Sequence, residues 1–351
     1  MEPARLDTIH IILLHGQALD STLWGDAFVD GLGPYAVHRF DLLGHGSKEG
    51  AALTGGFDAI VDDVRASFAA AVPAAQRKLV IVVGHSLGAW VGARWAALHP
   101  EEVDGLLLVS AVLAMSAEER ATFDAFAAAL AGQESFPEPL ARQIVEGRWL
   151  PGIDPAVQRR YVDFLSARAP AATVAVIRAI QAATPVDAAS LAATVRFVRG
   201  GEDPVAPRRC GDVTVGRTHF PHVEAPAAVA REVHVLTHAA LLLKGLRRTW
   251  VHGDADWFAD LRDDAWIRFD EVTGAQGREG YETYVHELRE RRSFDRVELT
   301  HYAGDRDALT LGATFSSGDE RFTLWGLVRF RDGRIFRSYN VYPEAAARSP
   351  A

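Results

Sequence analysis

The chain has 351 residues, 48% of them hydrophobic and 24% charged, a composition that makes a folded core and leaves room for one large domain or two. Its formal net charge of −9 and the lack of any Lys/Arg run exclude the clustered positive charge that a nucleic acid or an anionic membrane would require, so neither is an expected partner. Cys210 is the only cysteine, which rules out an intramolecular disulfide; with no His/Cys cluster at ligand spacing, no zinc site is expected either. The apolar stretch Ile9 to Leu14 is too short for a signal-peptide core or a membrane span, and a reducing, cytoplasmic setting is the expectation.

In chain order, short apolar runs at Ile9 to Leu14, Ala36 to Asp41, Leu79 to Val83, Gly105 to Ser110, Thr194 to Arg199 and Asp212 to Arg217 alternate with helical stretches. That alternation predicts an α/β fold with a doubly wound, mostly parallel sheet. Between Ser110 and Thr194 the strand signal vanishes, and amphipathic segments are punctuated by Pro137, Pro139, Pro151, Pro155, Pro170 and Pro185. These segments predict a helical cap over about 112–190. From Ala227 to Arg248 there is no Pro and only Gly245, while Val229, Val233, Leu236, Ala240 and Leu243 fall near helical spacing. One long or barely broken helix is expected there, a connection stiff enough to fix the orientation of two domains. Beyond it the order is helix, helix, strand, helix, then strands at about 295–303, 307–317, 321–331 and 334–342, an α+β unit. The expected domains are therefore 1–238 and 239–351.

The most informative segment is residues 79–99, where an apolar strand runs into Gly84-His85-Ser86-Leu87-Gly88 and out into an Ala-rich helix. This is the pattern of a nucleophile elbow. Ser86 must sit on a strained turn that lifts its hydroxyl above the sheet edge, and the two glycines let strand and helix pass closely.

Four further segments fall in order around it: His15-Gly16-Gln17, Asp41-Leu42-Leu43-Gly44-His45-Gly46-Ser47, Gly200-Gly201-Glu202-Asp203-Pro204 and His219-Phe220-Pro221-His222-Val223-Glu224. Together they make the first 235 or so residues resemble the α/β-hydrolase family, in its small-ester and carboxylesterase branch. The resemblance implies a Ser-Asp-His triad of Ser86, Asp203 and His219. The family's alternative acid position, after Gly105 to Ser110, offers only Ala111, Val112 and Leu113. His219 is preferred to His222 because the family's base precedes an aromatic-Pro pair; His222 then becomes a supporting or surface residue, and Thr218 stands where Gly is usual. Oxyanion donors are expected from the backbone N–H of Leu87 and of Gln17 or Ala18.

His15, His45 and His85 read as hydrogen-bonded loop residues, with His15 and His222 also candidates for substrate contact. Trp24, Trp90, Trp95 and Trp149 are candidates to line a pocket, Trp95 being better placed for the core and Trp149 for the pocket. Cys210 is expected to be a packing residue. The resemblance also implies that the first two strands usual in the family are missing, leaving a roughly six-stranded sheet. No cofactor is expected, since acyl transfer through a triad needs neither metal nor nicotinamide.

The second domain resembles the SnoaL-like polyketide-cyclase group of nuclear-transport-factor-like cone folds, through Gly253-Asp254-Ala255-Asp256-Trp257, Leu261, Asp263-Asp264-Ala265-Trp266, Gly277-Arg278-Glu279-Gly280-Tyr281 and Arg331-Asp332-Gly333-Arg334-Ile335. Asp254 reads as a helix N-cap and Gly333 as a hairpin turn. Catalytic members of such folds carry an acid or His in the cone. Glu298, His301, Trp325, Arg329, Arg337 and Tyr339 lie on expected strands, but alternation alone does not say which face points inward; Trp325 and Tyr339 are the candidates for substrate contact there, and Asn340 lies where related sequences often carry an acid. The resemblance implies a serine hydrolase acting on an ester, thioester or lactone of a small acyl or polyketide-like molecule, in secondary-metabolite biosynthesis, with a homodimer formed through the C-terminal domain. The alternative is a cyclase or lyase that uses either domain for ring closure or elimination.

Overall fold

The computed structural model describes residues 8–341 apart from 52, 210, 255–256, 258–261, 271–273, 292 and 332–333. Cys210, Ala255, Asp256, Leu261, Asp332 and Gly333, singled out above, therefore lie outside the described residues. The chain divides into two units, Met1–Val233 and His234–Ala351. No helix among the described residues is long and apolar enough to cross a membrane.

The first unit is built on a six-stranded sheet whose pairs are all parallel. Its strands are β1 (Ile9–Leu14), β2 (Ala36–Phe40), β3 (Leu79–His85), β4 (Gly105–Val109), β5 (Thr194–Arg199) and β6 (Val213–Thr214), in the spatial order β2-β1-β3-β4-β5-β6. Every residue of β1, β3 and β4 is buried, because helices cover both sheet faces and continuous apolar runs are what such strands need. Among those helices are α1 (Asp26–Gly31), α2 (Asp58–Ala71) and α3 (Leu87–Leu98). Helix α2 buries Ile60, Val61, Val64 and Phe68, one stripe at 3.6-residue spacing, whereas α3 is Ala- and Gly-rich and buried nearly all round. The expected strand over Asp212 to Arg217 is reduced to two paired residues, since Gly211 and Gly216 both take positive φ (88° and 62°) and turn the chain out of the ladder.

Between β4 and β5 lie four cap helices: α4 (Ala117–Leu130), α5 (Glu138–Ile144), α6 (Pro155–Ser166) and α7 (Pro170–Ala182), with a π-helical turn at Val145–Trp149 after α5. Three of the prolines noted above open these helices: Pro139, Pro155 and Pro170 occupy first-turn positions, where a missing N–H costs nothing. Helix α4 starts with a capping box in which Ser116 and Glu119 satisfy each other's backbone N–H.

One uninterrupted helix, α8, follows; it runs from Pro226 to Trp250 after a single helical turn at Pro221–Glu224. The second unit has strands β7 (Arg262–Asp270) and β8 (Gly274–Gln276), helix α9 (Arg278–Arg291), and strands β9 (Arg296–Gly304), β10 (Ala308–Ser317), β11 (Glu320–Arg331) and β12 (Arg334–Val341). They form one mixed sheet in the order β8-β7-β12-β11-β10-β9, antiparallel except where β12 runs beside β7. The short β8 had no signal in the sequence, and the helix expected after Asp254 falls largely on residues outside the description.

Candidate active site

Strand order places the site. The chain winds from β1 outward to β2 and then returns to lay β3 on the other side of β1, so the carboxyl ends of β1 and β3 bracket the crevice where the winding reverses. Ser86 follows β3 at that edge with φ 50° and ψ −108°, a left-handed strain for a residue with a Cβ. Gly84 and Gly88 make the turn physically possible. A Cβ on Gly84 would overlap the Gly88 carbonyl, and one on Gly88 would overlap the Leu14 carbonyl, so any side chain at either position forces strand and helix apart. The Ser86 N–H is anchored by donating to the Val109 carbonyl (2.9 Å).

The loop after β1 closes the other side of the crevice. Gly16 lies so close to the elbow that a Cβ there would sit 2.7 Å from His85 Nδ1, and Ala18 takes φ 60°. Leu87 opens α3, where the first N–H groups of a helix have no acceptor within it. The Gln17 side chain donates to the Thr173 carbonyl (3.1 Å), tying this loop to cap helix α7.

His219 and Asp203 meet on the loops beyond β5 and β6. His219 Nδ1 lies 3.0 Å from each Asp203 oxygen, and both side chains are buried. Burial alone would raise the Asp203 pKa, but the His219 hydrogen bond and charge, with N–H donors from Val205 (2.8 Å) and Ala206 (3.1 Å), hold it down to about 2. An ionised carboxylate can only accept, so His219 donates Nδ1–H and a neutral ring keeps its Nε2 lone pair free. The two loops cross at Gly200, where a Cβ would overlap the Thr218 carbonyl. Thr218 does not disturb this arrangement: its N–H and that of Arg217 donate to Glu224 Oε2 (3.0 and 2.8 Å), and its hydroxyl accepts from Phe220 N–H.

Ser86 and His219 open on one cavity of about 280 Å³, with Gln17 and Ala18 in its lining. Its roof comes from the cap, through Phe123 and Phe126 on α4, Phe136, Leu140 on α5, and Trp149; Arg148 is the only Arg, Lys, Asp or Glu among its lining residues. Of the tryptophans proposed above only Trp149 reaches it. Trp24, Trp90 and Trp95 are core residues, at most 2% exposed.

His15 and His222 do not line this cavity, which corrects their candidacy for substrate contact. His15 is fully buried beneath it, donating Nδ1–H to the Gly16 carbonyl (2.7 Å) and accepting from Leu42 N–H on Nε2 (3.0 Å), so it ties the β1 loop to the β2 loop. His222 is 2% exposed and packs between Trp24 and His85 (ring centroids 4.6 and 4.7 Å), so it is not a surface residue. His85 donates Nε2–H to the His219 carbonyl (2.9 Å), a brace on the His219 backbone that the motif gave no sign of. In the second unit Trp325 and Tyr339 are 46% and 38% exposed and stand outside that unit's cavity, on the opposite face of the sheet from Leu324, Val328, Ser338 and Asn340. Glu298, His301, Arg329 and Arg337 likewise line no part of it.

Among the described residues one grouping, His99, Glu101 and Glu102, brings three ligand-type atoms within 4.8 Å. Both Glu102 oxygens are already engaged, by Arg65 (2.6 and 2.8 Å) and by Trp95 Nε1 (2.7 Å), so the grouping serves packing at the end of α3.

The buried histidines predict acid sensitivity. Burial first, then neighbouring histidines or other charges, pushes His15 and His222 down to about 3 and His45 to about 4, and lowers His85 well below 6.5. A folded-state pKa below the unfolded value means that the stabilisation is complete above pH 6.5 and is lost as pH falls through those lower values. Each such histidine contributes a slope of about 1.4 kcal/mol per pH unit between those limits. Thermal melts followed by circular dichroism should therefore lose several degrees per unit from pH 6.5 to 4.5; a constant Tm over that range would contradict the assignment.

A serine on a strained strand-to-helix turn, at the carboxyl edge of a parallel sheet and sharing a cavity with a histidine, is an arrangement characteristic of one class of α/β protein. The chain belongs to the alpha/beta hydrolase family, whose model matches residues 11–232. It is 34% identical over 100 residues to a pimeloyl-[acyl-carrier protein] methyl ester esterase of Chromobacterium violaceum, covering 28% of this chain and 36% of that protein. The same enzyme of Salmonella heidelberg is 32% identical over 112 residues, covering 31% and 40%. This chain thus matches well under half the length of those relatives. Among solved structures, an esterase from a Rhodococcus species superposes with a TM-score of 0.54 at 23% identity, covering 66% of this chain and 91% of its own. An enol-lactonase from Burkholderia xenovorans superposes with a TM-score of 0.54 at 19% identity, covering 64% and 89%. At these identities the structural likeness concerns the fold.

Proposed function

We propose that the first unit is a serine esterase that cleaves carboxylic esters, thioesters or lactones through an acyl-enzyme on Ser86. The observation that carries this reading is His219, paired with the buried Asp203, opening on the same cavity as the strained Ser86. In this mechanism His219 Nε2 takes the Ser86 proton as Oγ attacks the carbonyl carbon, and Asp203 stabilises the imidazolium that forms. The N–H of Leu87 and that of Gln17 or Ala18 receive the oxyanion. His219 then returns the proton to the leaving oxygen or sulfur; a water deprotonated by His219 attacks the acyl carbon, and His219 passes that proton to Ser86 Oγ as the C–Oγ bond breaks and the acid leaves. The apolar, aromatic roof favours substrates whose acyl or alcohol part is apolar, and the esterase names of the relatives point the same way.

In this reading the domain boundary falls near residue 238, and the second unit is a SnoaL-like domain. Its support is the mixed sheet with a four-strand antiparallel run and an apolar cavity. In this reading a role in polyketide-type secondary metabolism rests on that fusion alone.

The test is a fluorophosphonate probe read by intact mass, together with initial rates on 4-nitrophenyl esters from acetate to octanoate. One adduct per chain, mapped to Ser86, and rates that rise with acyl length are expected. A folded protein that neither labels nor turns over any of these esters would overturn the reading.

A further inference from the structure

Beside the catalytic cavity the first unit holds a second one, of about 370 Å³, between helix α1, cap helix α6 and the turn that follows His219. The two linings share a single residue, Leu19. It follows Ala18 on the loop after β1 and is buried, so at that point the wall between the cavities is one side chain thick. Rings complete the wall. Phe220 lines the catalytic cavity and meets Tyr161 edge-on (centroids 5.5 Å apart) and His222 in a stack (5.8 Å), and those two line the second cavity. His85 stands on the catalytic side with His222 behind it at 4.7 Å. Leu19 differs from these rings in that its side chain makes no hydrogen bond or ring contact that shortening would break.

This wall lies where a leaving group departs. His219 gives its proton to the departing oxygen or sulfur, so that atom and what it carries sit next to His219. Phe220 and His222 follow His219 on the same turn, and Leu19 closes the gap beside them. The catalytic cavity of about 280 Å³ has to hold the acyl part and the leaving group together, and it is smaller than the roughly 300 to 1,000 Å³ of ordinary ligand pockets. Joined to the second cavity it would fall within that range.

We propose that Leu19 is a specificity-determining residue for the leaving group: it ends the catalytic cavity on the His219 side, so that esters of alcohols or phenols no larger than a single aromatic ring are accepted and larger ones are rejected. The inference rests on the esterase reading of Ser86 and names the part of the substrate that the site limits.

The experiment compares kcat/KM on 4-nitrophenyl butyrate and on resorufin butyrate, which share an acyl group and differ in a one-ring against a three-ring phenol of similar leaving ability. The wild type should favour the small ester by at least roughly tenfold, the scale on which a pocket rejects a group that does not fit. Leu19→Ala should cut that preference to about threefold or less by speeding resorufin butyrate, and should leave 4-nitrophenyl butyrate within about threefold of wild type, because the backbone oxyanion donors stay. Adding Ala27→Trp, which puts a ring into the second cavity from α1, should restore the wild-type preference, an effect that mere loosening of the loop would not produce. Ala27→Trp alone should leave wild-type rates unchanged. Should Leu19→Ala not fold by circular dichroism, Leu19→Val should relax the preference in the same direction by about threefold. A wild type inactive on both esters would remove the esterase reading and this inference with it. A wild type active on 4-nitrophenyl butyrate but indifferent to leaving-group size, a folded Leu19 variant with undiminished preference, or a double variant that stays relaxed would each overturn this inference alone.

Discussion

Ser86→Ala is expected to lower kcat on a 4-nitrophenyl ester by roughly 10⁵- to 10⁶-fold while leaving the fold intact. Alanine keeps the Cβ and the N–H that donates to the Val109 carbonyl, so the elbow retains both its strain and its anchor. What it loses is the only hydroxyl at the turn. The residual rate should come from the oxyanion donors and from binding, neither of which needs Oγ. Initial rates and circular dichroism on the purified variant measure both parts, and a folded variant that retained even a tenth of the activity would remove Ser86 from the reaction.

The second large effect belongs to the acid. Asp203→Asn should cost about 10⁴-fold in kcat, because an amide nitrogen facing His219 Nδ1 forces the proton onto Nε2 and leaves no lone pair for the serine proton. The amide oxygen can still accept from Val205 and Ala206, as Asp203 Oδ1 does now, so the loop keeps its shape. The replacement also removes a depressed carboxyl. Its folded pKa of about 2 lies below the unfolded 3.8, so its stabilisation is present above pH 3.8 and lost as pH falls from there towards 2. The variant should therefore approach the wild type in stability as pH falls towards 2 and differ from it near neutrality. A variant with more than a hundredth of wild-type kcat would mean that His219 does not depend on Asp203.

These expectations trace back to residues with unequal visibility in the sequence. Gly84, Ser86 and Gly88 were legible because the elbow imposes a steric demand that only small residues at fixed spacing can meet, a demand that arises where the chain crosses itself at Gly84 against Gly88 and at Gly88 against Leu14. The strands β1, β3 and β4 were legible because strands buried on both faces must be apolar throughout. The cavity roof was not. An apolar residue such as Phe123, Phe126 or Phe136 satisfies a helical pattern equally well whether it packs on a core or faces an empty space. In the second unit a two-residue period identifies two faces without ranking them, and Trp325 and Tyr339, the most visible aromatics, belong to the outward face.

The cap enters and leaves the sheet at neighbouring strands. It departs after β4 and returns to β5, which pair directly, and at its base the Val186 N–H donates to the Leu113 carbonyl (3.2 Å). Everything that roofs the cavity apart from the β1 loop is thus strung between two points already held together. Residues 114–185 amount to an exchangeable cassette: a foreign helical segment with ends spaced alike, and with a carbonyl where that of Trp149 now accepts the His219 N–H (3.2 Å), could replace them without altering the strand order, the elbow or the His219–Asp203 pair. Evolution or a protein engineer could in that way change which molecules are admitted while inheriting the chemistry unchanged.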